Sequence, residues 1–218
     1  MSNFIVDPYR YAVDVEITRG CWGGGYADAF SGVIDYVEIQ SLGNASSFGD
    51  LSGSRAEAGM AGCSGSGRGM FGAGVSGAGK TDIIDYITIL TTGNATNFAS
   101  VQTAREELSA CADTSRGVWA GGNTGSLTNE IGYIAILTGG SASDFGNLTE
   151  ARSGLAGVSN GTVGLFAGGN TGSKVNTIDY VTIQSANDAQ DWGDLTEARA
   201  QLGSCSDASR AVFAGGEA

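Results

Sequence analysis

One short segment returns about every 47 residues along this chain, and this repetition limits the possible folds more than any other feature. The segment is Ile34-Asp35-Tyr36, repeated as Ile84-Asp85-Tyr86, Ile131-Gly132-Tyr133 and Ile178-Asp179-Tyr180. An aromatic residue and an arginine move in the same steps, at Phe48, Phe98, Phe145 and Trp192 and at Arg55, Arg105, Arg152 and Arg199. A fixed period of roughly 40 to 50 residues is typical of one supersecondary unit used repeatedly, most often a propeller blade.

The glycine content indicates turns and close packing rather than disorder. The 218 residues include 37 glycines and a single proline, Pro8. The glycines fall at fixed phases of the repeat, where they suit turns and close backbone approach. An all-β chain of this length can form one domain, and the repeat covers nearly all of it, so we predict a single domain over 1–218.

Each repeat contains four segments with the pattern of β-strands. In the third repeat they lie at 108–112, 116–122, 131–136 and 145–148, joined by connections rich in Gly, Asn, Ser and Thr, as turns are. No window has the apolar spacing of an amphipathic helix. The predicted repeats are 11–52, 55–102, 105–149 and 152–196, followed by a half-repeat at 199–216.

The third strand of the repeat indicates how the sheets pack. In the second repeat one face of this strand carries Ile84 and Tyr86, and the other carries Ile87 and Ile89. Because both faces are largely apolar, both must be covered. Sheets arranged around an axis satisfy this requirement, since each blade lies between two neighbours.

The repeat resembles the kelch-type blade, in which a Gly-Gly pair follows a strand that ends in an aromatic residue. The pairs are Gly121-Gly122, Gly168-Gly169 and Gly215-Gly216, and Trp192 stands where the kelch motif has its Trp. The resemblance implies an all-β, kelch-like β-propeller of about five blades of four antiparallel strands, with the last blade incomplete. Residues 1–10, which include Phe4-Ile5-Val6, or a partner chain would complete the ring.

Charge and composition argue against several classes of partner. The formal net charge is −12, because 23 acidic residues outnumber 11 scattered Lys and Arg, so we expect no nucleic acid partner. No stretch approaches the ~18 apolar residues of a membrane helix, so we expect no membrane insertion. The first twenty residues lack the basic start and apolar run of a secretory signal.

No residue pattern predicts catalysis, a metal site or a cofactor. The chain has no His, which removes Ser-His-Asp triads, Cys-His pairs and imidazole zinc ligands. Cys63, Cys111 and Cys205 share one repeat position, which Val158 fills in the fourth repeat, so we predict small buried apolar residues rather than disulfides or zinc ligands. We therefore expect a protein that is not an enzyme and needs no cofactor.

Periodic charged residues are predicted to be structural, because an active site needs different groups in different roles. We predict structural hydrogen bonds for the aspartates of the third strand, Asp35, Asp85 and Asp179. We predict blade-to-blade braces for two sets of arginines. The first set is Arg55, Arg105, Arg152 and Arg199, and the second, at the hairpin before strand two, is Arg19, Arg68, Arg116 and Arg210.

The loops that follow the second strand break the symmetry of the repeat. They span 27–33, 75–83, 123–130 and 170–177 and differ in length and content. Binding residues concentrate on such variable loops, so we predict partner contact on this face. The candidate contact residues are Tyr26, Asp28, Lys80, Asn123, Thr124, Asn170, Thr171 and Lys174.

The sequence of the repeats also resembles that of repeat proteins from tailed phages of marine and cyanobacterial hosts. The shared segments are Ile-Asp-Tyr-Val/Ile-Thr-Ile, Thr-Gly-Asn-Ala-Thr-x-Phe and a Gly-rich hairpin of small residues. The resemblance implies a virion structural protein of a tail, a fibre or the capsid decoration. It would contact other virion proteins, copies of itself in a homo-oligomer, or a host surface glycan. The alternatives are a lectin-like carbohydrate-binding propeller and an intracellular kelch-type adaptor.

Overall fold

The computed structural model describes residues 19–26, 28–53 and 61–218, together with the backbone of 55–56. Every helix or strand in these residues is a β-strand, which confirms the all-β prediction. The strands are β1 Arg19–Gly23, β2 Val33–Glu38, β3 Ser46–Asp50, β4 Arg55–Ala56, β5 Ala61–Gly65, β6 Arg68–Gly72, β7 Val75–Ser76, β8 Gly79–Lys80, β9 Ile83–Thr88, β10 Thr96–Ser100, β11 Ser109–Ala112, β12 Arg116–Ala120, β13 Glu130–Ala135, β14 Gly140–Ser141, β15 Ser143–Asn147, β16 Ala156–Ser159, β17 Val163–Ala167, β18 Thr177–Thr182, β19 Gln190–Asp194, β20 Gly203–Ser206 and β21 Ala211–Ala214.

The sheets are antiparallel meanders that follow the sequence repeats, which are numbered in chain order as units 1 to 4 and half-unit 5. Units 3 and 4 each form a four-stranded sheet, β11-β12-β13-β15 and β16-β17-β18-β19. Unit 2 forms β5-β6-β9-β10, and β14 of unit 3 adds a fifth, parallel strand to its edge. Unit 1 contributes β1-β2-β3, half-unit 5 contributes the hairpin β20-β21, and β4, β7 and β8 form a separate small sheet. The prediction of uniform four-stranded blades is therefore wrong for part of the chain.

The described strands do not close into a ring. β20 is exposed along its whole length, so no further sheet covers it. The segment predicted to close the ring, residues 1–10 with Phe4-Ile5-Val6, lies outside the described residues. The series of sheets therefore has two uncovered ends in the part of the chain that the structure describes.

Apolar side chains fill the spaces between consecutive units. Each inner unit has a leading face, which packs on the preceding unit, and a trailing face, which packs on the next unit. In unit 3 the leading face carries Trp119, Ile134 and Ile136, and the trailing face carries Cys111 and Val118. Three such clusters join units 1 and 2, units 2 and 3, and units 3 and 4. Because burial of apolar area is the main stabilising term in folding, these clusters hold the units together.

Both faces of the third strand are covered, as the sequence predicted. On β9 the trailing-face Ile84 is fully buried, and the leading-face Ile87 is only 2% exposed. Ile89, just after the strand, is only 4% exposed.

The arginines of the hairpin set brace consecutive units. Each guanidinium donates to the carbonyl that follows the third strand of the next unit: Arg19 to Ile89, Arg68 to Ile136 and Arg116 to Ile183, at 3.3, 2.8 and 3.2 Å. Each also stacks on the tyrosine of its own unit, at 4.2 to 4.5 Å from the ring centre. The predicted blade-to-blade role is therefore observed for these three residues.

The other arginine set acts mainly within its own unit, which corrects the prediction for it. Arg105 is fully buried and donates to the carbonyls of Gly121 and Glu130, both in unit 3. Arg152 is also fully buried, and its Nη2 lies 3.1 Å from the Asp179 carboxylate of the same unit. Each guanidinium is directed into its own sheet, whose buried carbonyls and carboxylate it pairs with. The backbone carbonyls of Arg105 and Arg152, by contrast, accept from the N–H groups of Gly74 and Gly122 in the preceding units, both at 2.9 Å. The side chain of Arg55 is outside the described residues.

Two of the third-strand aspartates form structural hydrogen bonds between units, as predicted. Asp179 accepts from the hydroxyl and the backbone N–H of Thr149 in the preceding unit, at 2.6 and 3.1 Å. Asp85 accepts in the same way from Ser52, at 2.6 and 2.9 Å. Asp35, in unit 1, is instead exposed.

Where unit 3 meets unit 2, different residues stand at the positions of this aspartate and of its Ser or Thr partner. Gly132 stands in the aspartate position, and Gln102 stands where Ser52 and Thr149 stand in the other units. The Gln102 Oε1 lies 2.1 Å from the place where a Cβ on Gly132 would stand, so the amide fills the missing side chain's space. The amide oxygen also faces the Arg105 guanidinium at 3.5 Å.

The prediction of buried cysteines holds at Cys111, whereas Cys63 is only partly buried and Cys205 is exposed. The four cysteines are free thiols, Cys111 is buried, and burial raises its pKa to about 12. Cys205 is exposed, which contradicts the prediction of a buried residue, because none of the described strands packs on the trailing face of half-unit 5. The described residues contain no helix with the length and apolarity of a membrane span.

Candidate binding surface

Two of the predicted contact loops have the same sequence pattern and the same shape. Asn123 and Asn170 each accept a hydrogen bond on Oδ1 from the glycine N–H two residues later, at 2.8 and 2.7 Å. Thr124 and Thr171 each donate their backbone N–H to the serine carbonyl two residues later, at 3.0 Å. These polar groups therefore shape the loops, since Asn side chains commonly close turns in this way.

The two lysines of the predicted surface tie consecutive units together. The Lys80 Nζ lies 3.2 Å from Glu106 and 3.0 Å from the Asn123 Oδ1, both in the following unit. The Lys174 Nζ reaches Glu217 at 3.6 Å and donates to the Ala218 carbonyl at 2.7 Å. Both ammonium groups therefore already have partners in the folded chain.

The remaining predicted residues lie on the loop of unit 1. Tyr26 is 51% exposed and packs edge-on against Phe30, with the ring centres 5.3 Å apart. Asp28 is exposed on the same loop. In the described residues no hydrogen bond or ion pair joins these two to the later loops. The structure thus unites Lys80 with Asn123, and leaves Tyr26 and Asp28 apart from them.

A polar groove that the sequence analysis missed runs along the first strands of successive units. Its volume is about 400 Å³, and residues of units 2, 3, 4 and half-unit 5 line it, among them Gly62, Ser109, Gly157 and Ser204. The first strands of four successive units therefore lie along one groove. The rim residues Glu107, Gly154 and Gln201 share one repeat position.

The rim of this groove has a fixed backbone shape. Glu107, Gly154 and Gln201 have φ values of +55°, +65° and +56°, a conformation that favours glycine. The Gly154 N–H donates to the Glu107 carbonyl and the Gln201 N–H to the Gly154 carbonyl, at 2.8 and 2.7 Å. The glycine at one of the three equivalent positions was the sequence signal for this conformation.

The chemistry available in the groove is hydrogen bonding. The Glu107 carboxylate accepts from the Ser153 hydroxyl at 2.6 Å, and serine hydroxyls and backbone groups supply most of the other polar atoms. Nowhere in the described residues do three or more acidic or cysteine side chains gather as metal ligands do. The groove can therefore orient a polar ligand through neutral donors and acceptors, with one carboxylate at its rim.

A second, smaller groove lies between unit 4 and the terminal hairpin. Its volume is about 150 Å³, and its lining includes Val163, Leu165, Trp192, Asp207 and Arg210. Trp192 is 60% exposed there. The equivalent aromatic residue of unit 3 is buried under unit 4, so the groove marks the place where a covering third strand is missing.

Comparison with known proteins does not assign the chain to a family. No protein-family model matches it, and no curated protein is significantly similar to it.

Proposed function

We propose that this chain is a non-enzymatic structural protein of a tailed-phage virion, in a tail, a fibre or the capsid decoration. It would be built as a kelch-like propeller arrangement of blades and would act through protein–protein contacts at its outer faces. The observation that carries this proposal is the contrast between inner and terminal units. The inner units use their periodic polar groups on one another, whereas the terminal units expose apolar residues that the inner units bury.

The exposed residues show this contrast most clearly. Ile39 of unit 1 is 66% exposed, whereas the equivalent Ile89, Ile136 and Ile183 are at most 4% exposed. Contiguous apolar surface on a folded chain marks an interaction site. The shared groove along the first strands supports the propeller-like arrangement, because the blades of a propeller surround one central channel.

Mass spectrometry of purified particles tests the proposal. Virions of the virus that encodes the chain would be purified on a density gradient and washed with high salt. We expect peptides from 19–218 at a constant ratio to the major capsid protein in every particle fraction. Peptides confined to the particle-free part of the lysate would refute the virion role.

A lectin-like role is the second candidate, and the groove at Trp192 favours it. An exposed indole beside Asn160, Ser206 and Ser209 combines an apolar platform with a few orienting polar groups, which is the usual composition of a small-ligand site. A glycan array with the wild-type chain and Trp192→Ala tests this role. Binding that the substitution abolishes would support it, and the absence of binding to any glycan would reject it.

A further inference from the structure

We propose that the trailing face of the hairpin β20-β21 binds the leading face of unit 1 in a second copy of this chain. By repeat position the trailing face is formed by Asp207, Arg210 and Val212, which are equivalent to Asp113, Arg116 and Val118 of unit 3, and the leading face by Trp22, Ile39 and Gln40. Asp207 and Arg210 lie at the end of the hairpin and also line the groove beside unit 4. This contact names the partner within the structural role proposed above and rests on that role. It repeats the packing that already joins units 3 and 4.

The first argument is that the two faces expose the residues that inner units bury against each other. Val212 is 54% exposed, whereas the equivalent Met70 and Val118 are at most 1% exposed. Trp22 is 61% exposed, whereas the equivalent Trp119 is fully buried. In the inner units these two positions face each other across one cluster, with Met70 on the trailing side and Trp119 on the leading side. Each terminal face therefore has the residues that the other needs.

The second argument comes from the arginine brace. The hairpin arginine of one unit donates to the carbonyl that follows the third strand of the next unit, as Arg116 does to Ile183. In half-unit 5 this arginine is Arg210, and in unit 1 the equivalent acceptor is the carbonyl of Ile39. Unit 4 has Val163 instead, and its successor β20-β21 offers no third-strand carbonyl among the described residues. An arginine thus stands at this hairpin position wherever the next unit offers the third-strand carbonyl, and it is absent in unit 4, where the next unit offers none. Arg210 fits this rule if unit 1 of a second copy packs on half-unit 5.

The third argument is a pair of polar residues that match only in this order. The Gln184 amide of unit 4 donates to the Asp113 carboxylate of unit 3. Half-unit 5 repeats the aspartate as Asp207, and unit 1 repeats the glutamine as Gln40. At the aspartate position, units 2 and 4 have Gly65 and Asn160 instead. At the glutamine position, units 2 and 3 have Leu90 and Leu137 instead. A hairpin with Asp207 that packs on a unit with Gln40 therefore reproduces a contact that the chain already contains.

A second copy can use these faces without a change in the fold. Ile39 and Val212 are both exposed in the same folded chain, so neither covers the other there. Rigid-body contact between two copies is the default expectation when the surfaces are already formed. The contact joins different faces of the two copies, so it leaves one open face at each end. Such head-to-tail contacts build rings or helical filaments.

The test uses the full chain of 218 residues and two variants, each of which disables one face. Ile39→Asp removes the leading face of unit 1, and Val212→Asp removes the trailing face of the hairpin. Leu137→Asp is the matched control, because Leu137 is a 60% exposed aliphatic residue on an inner unit. Light scattering and sedimentation velocity would measure the mass from about 1 to about 100 µM, the range in which moderate interfaces dissociate.

We expect the wild-type mass to rise above the 22.0 kDa of one chain as concentration increases. Each face variant should associate at least about tenfold more weakly, because a buried aspartate without a partner is costly, whereas Leu137→Asp should behave as wild type. An equimolar mixture of the two face variants should form a dimer that grows no further, since each variant retains the face that the other lacks. Only contact between two copies predicts this rescue.

Gentler substitutions keep the test valid if an aspartate disturbs folding. Arg210→Val and Gln40→Leu install residues that inner units accept at the same positions, Val163 and Leu137. Each should weaken association while leaving the circular dichroism spectrum and the melting temperature unchanged. A wild-type chain that stays at 22.0 kDa throughout, or a mixture that stays monomeric, would overturn the proposal. Either result leaves the virion role intact, because particle location is measured separately by mass spectrometry.

Discussion

Replacing Asp179 by glycine is expected to lower the free energy of unfolding by about 3 kcal/mol, because it breaks a buried ion pair. Asp179 and Arg152 are both fully buried, with 3.1 Å between the carboxylate and Nη2. Burial lowers the pKa of Arg152, and the negative charge of Asp179 opposes that shift. Without Asp179, Arg152 keeps a bond to the Phe166 carbonyl and a 3.5 Å contact with the partly exposed Glu150 carboxylate, but it loses its fully buried counter-ion. The loss also removes the two hydrogen bonds from the exposed Thr149, whose groups can turn to water.

Unit 3 supplies a second substitution that should restore the stability. Thr149→Gln on the Asp179→Gly background copies the pair of Gln102 and Gly132. The Gln102 amide lies where a side chain at 132 would stand, so Thr149→Gln alone should overlap with Asp179 and cost about 1 to 3 kcal/mol. In the double variant the amide has room and its oxygen can face Arg152. We therefore expect the double variant to lie within about 1 kcal/mol of wild type, which is a favourable coupling of at least about 3 kcal/mol.

Guanidinium denaturation of the four proteins measures this coupling directly. For a chain of this length, a loss of 3 kcal/mol corresponds to a fall in melting temperature of roughly 6 to 12 °C, which calorimetry checks independently. The slope of the denaturation curve should stay constant across the set, since none of the changes alters the surface exposed on unfolding. If the two single losses add within about 0.5 kcal/mol in the double variant, the units do not exchange these pairs as independent modules and the reasoning is refuted.

Two further predictions use positions at which units differ. Gly146→Ala should lose about 2 to 4 kcal/mol and Gly193→Ala about 1 kcal/mol. The two glycines have nearly the same φ, +138° and +139°. A Cβ at Gly146 would lie 2.6 Å from the Asn187 backbone, whereas one at Gly193 would meet nothing within 4 Å. Equal losses of unfolding free energy in urea denaturation would show that packing between units does not cause the difference. Burial alone would raise the pKa of Asp113, but hydrogen bonds from the Gln184 amide and from neighbouring groups outweigh it and lower that pKa. The stability that the Asp113 carboxylate contributes is therefore complete above the unfolded carboxyl pKa of about 3.9 and is lost as the pH falls through the lower folded pKa. Asp113→Asn should flatten the decline in the free energy of unfolding below about pH 4. An unchanged acid profile would contradict this prediction.

The sequence predicted the strands and the faces of each unit because both follow from local spacing. The alternation of Ile84 and Ile87 on the third strand, for example, indicated two covered faces, and both residues are buried. Partners across units were harder to predict. Arg105 and Arg116 are equally periodic, yet Arg105 bonds within its unit and Arg116 reaches the next. Periodicity shows that a position is shared by the units, but it does not identify the partner of the side chain there.

Burial at the ends of the chain also lay beyond the repeat pattern. Cys205 shares its position with the buried Cys111, but only Cys111 has a following unit packed over it. A repeat identifies which face a residue occupies and leaves open whether a neighbour covers that face. The two grooves escaped prediction for a related reason, because several units line the larger one together and the smaller one lies at the junction of unit 4 and the hairpin.

The stability of such a chain is close to a sum of unit and interface contributions, because each unit contacts only its neighbours. Units 2 and 3 have an apolar cluster on both faces, whereas β20-β21 has a neighbour on one side alone. The hairpin is therefore the least stabilised part of the described fold, and it is also the part that carries Asp207 and Arg210 in the phase needed for unit 1. A face that is weak in isolation yet retains the polar pattern of an internal interface is better explained by a partner than by solvent. Since the matching pattern lies on unit 1, a second copy is the partner that the repeat itself specifies.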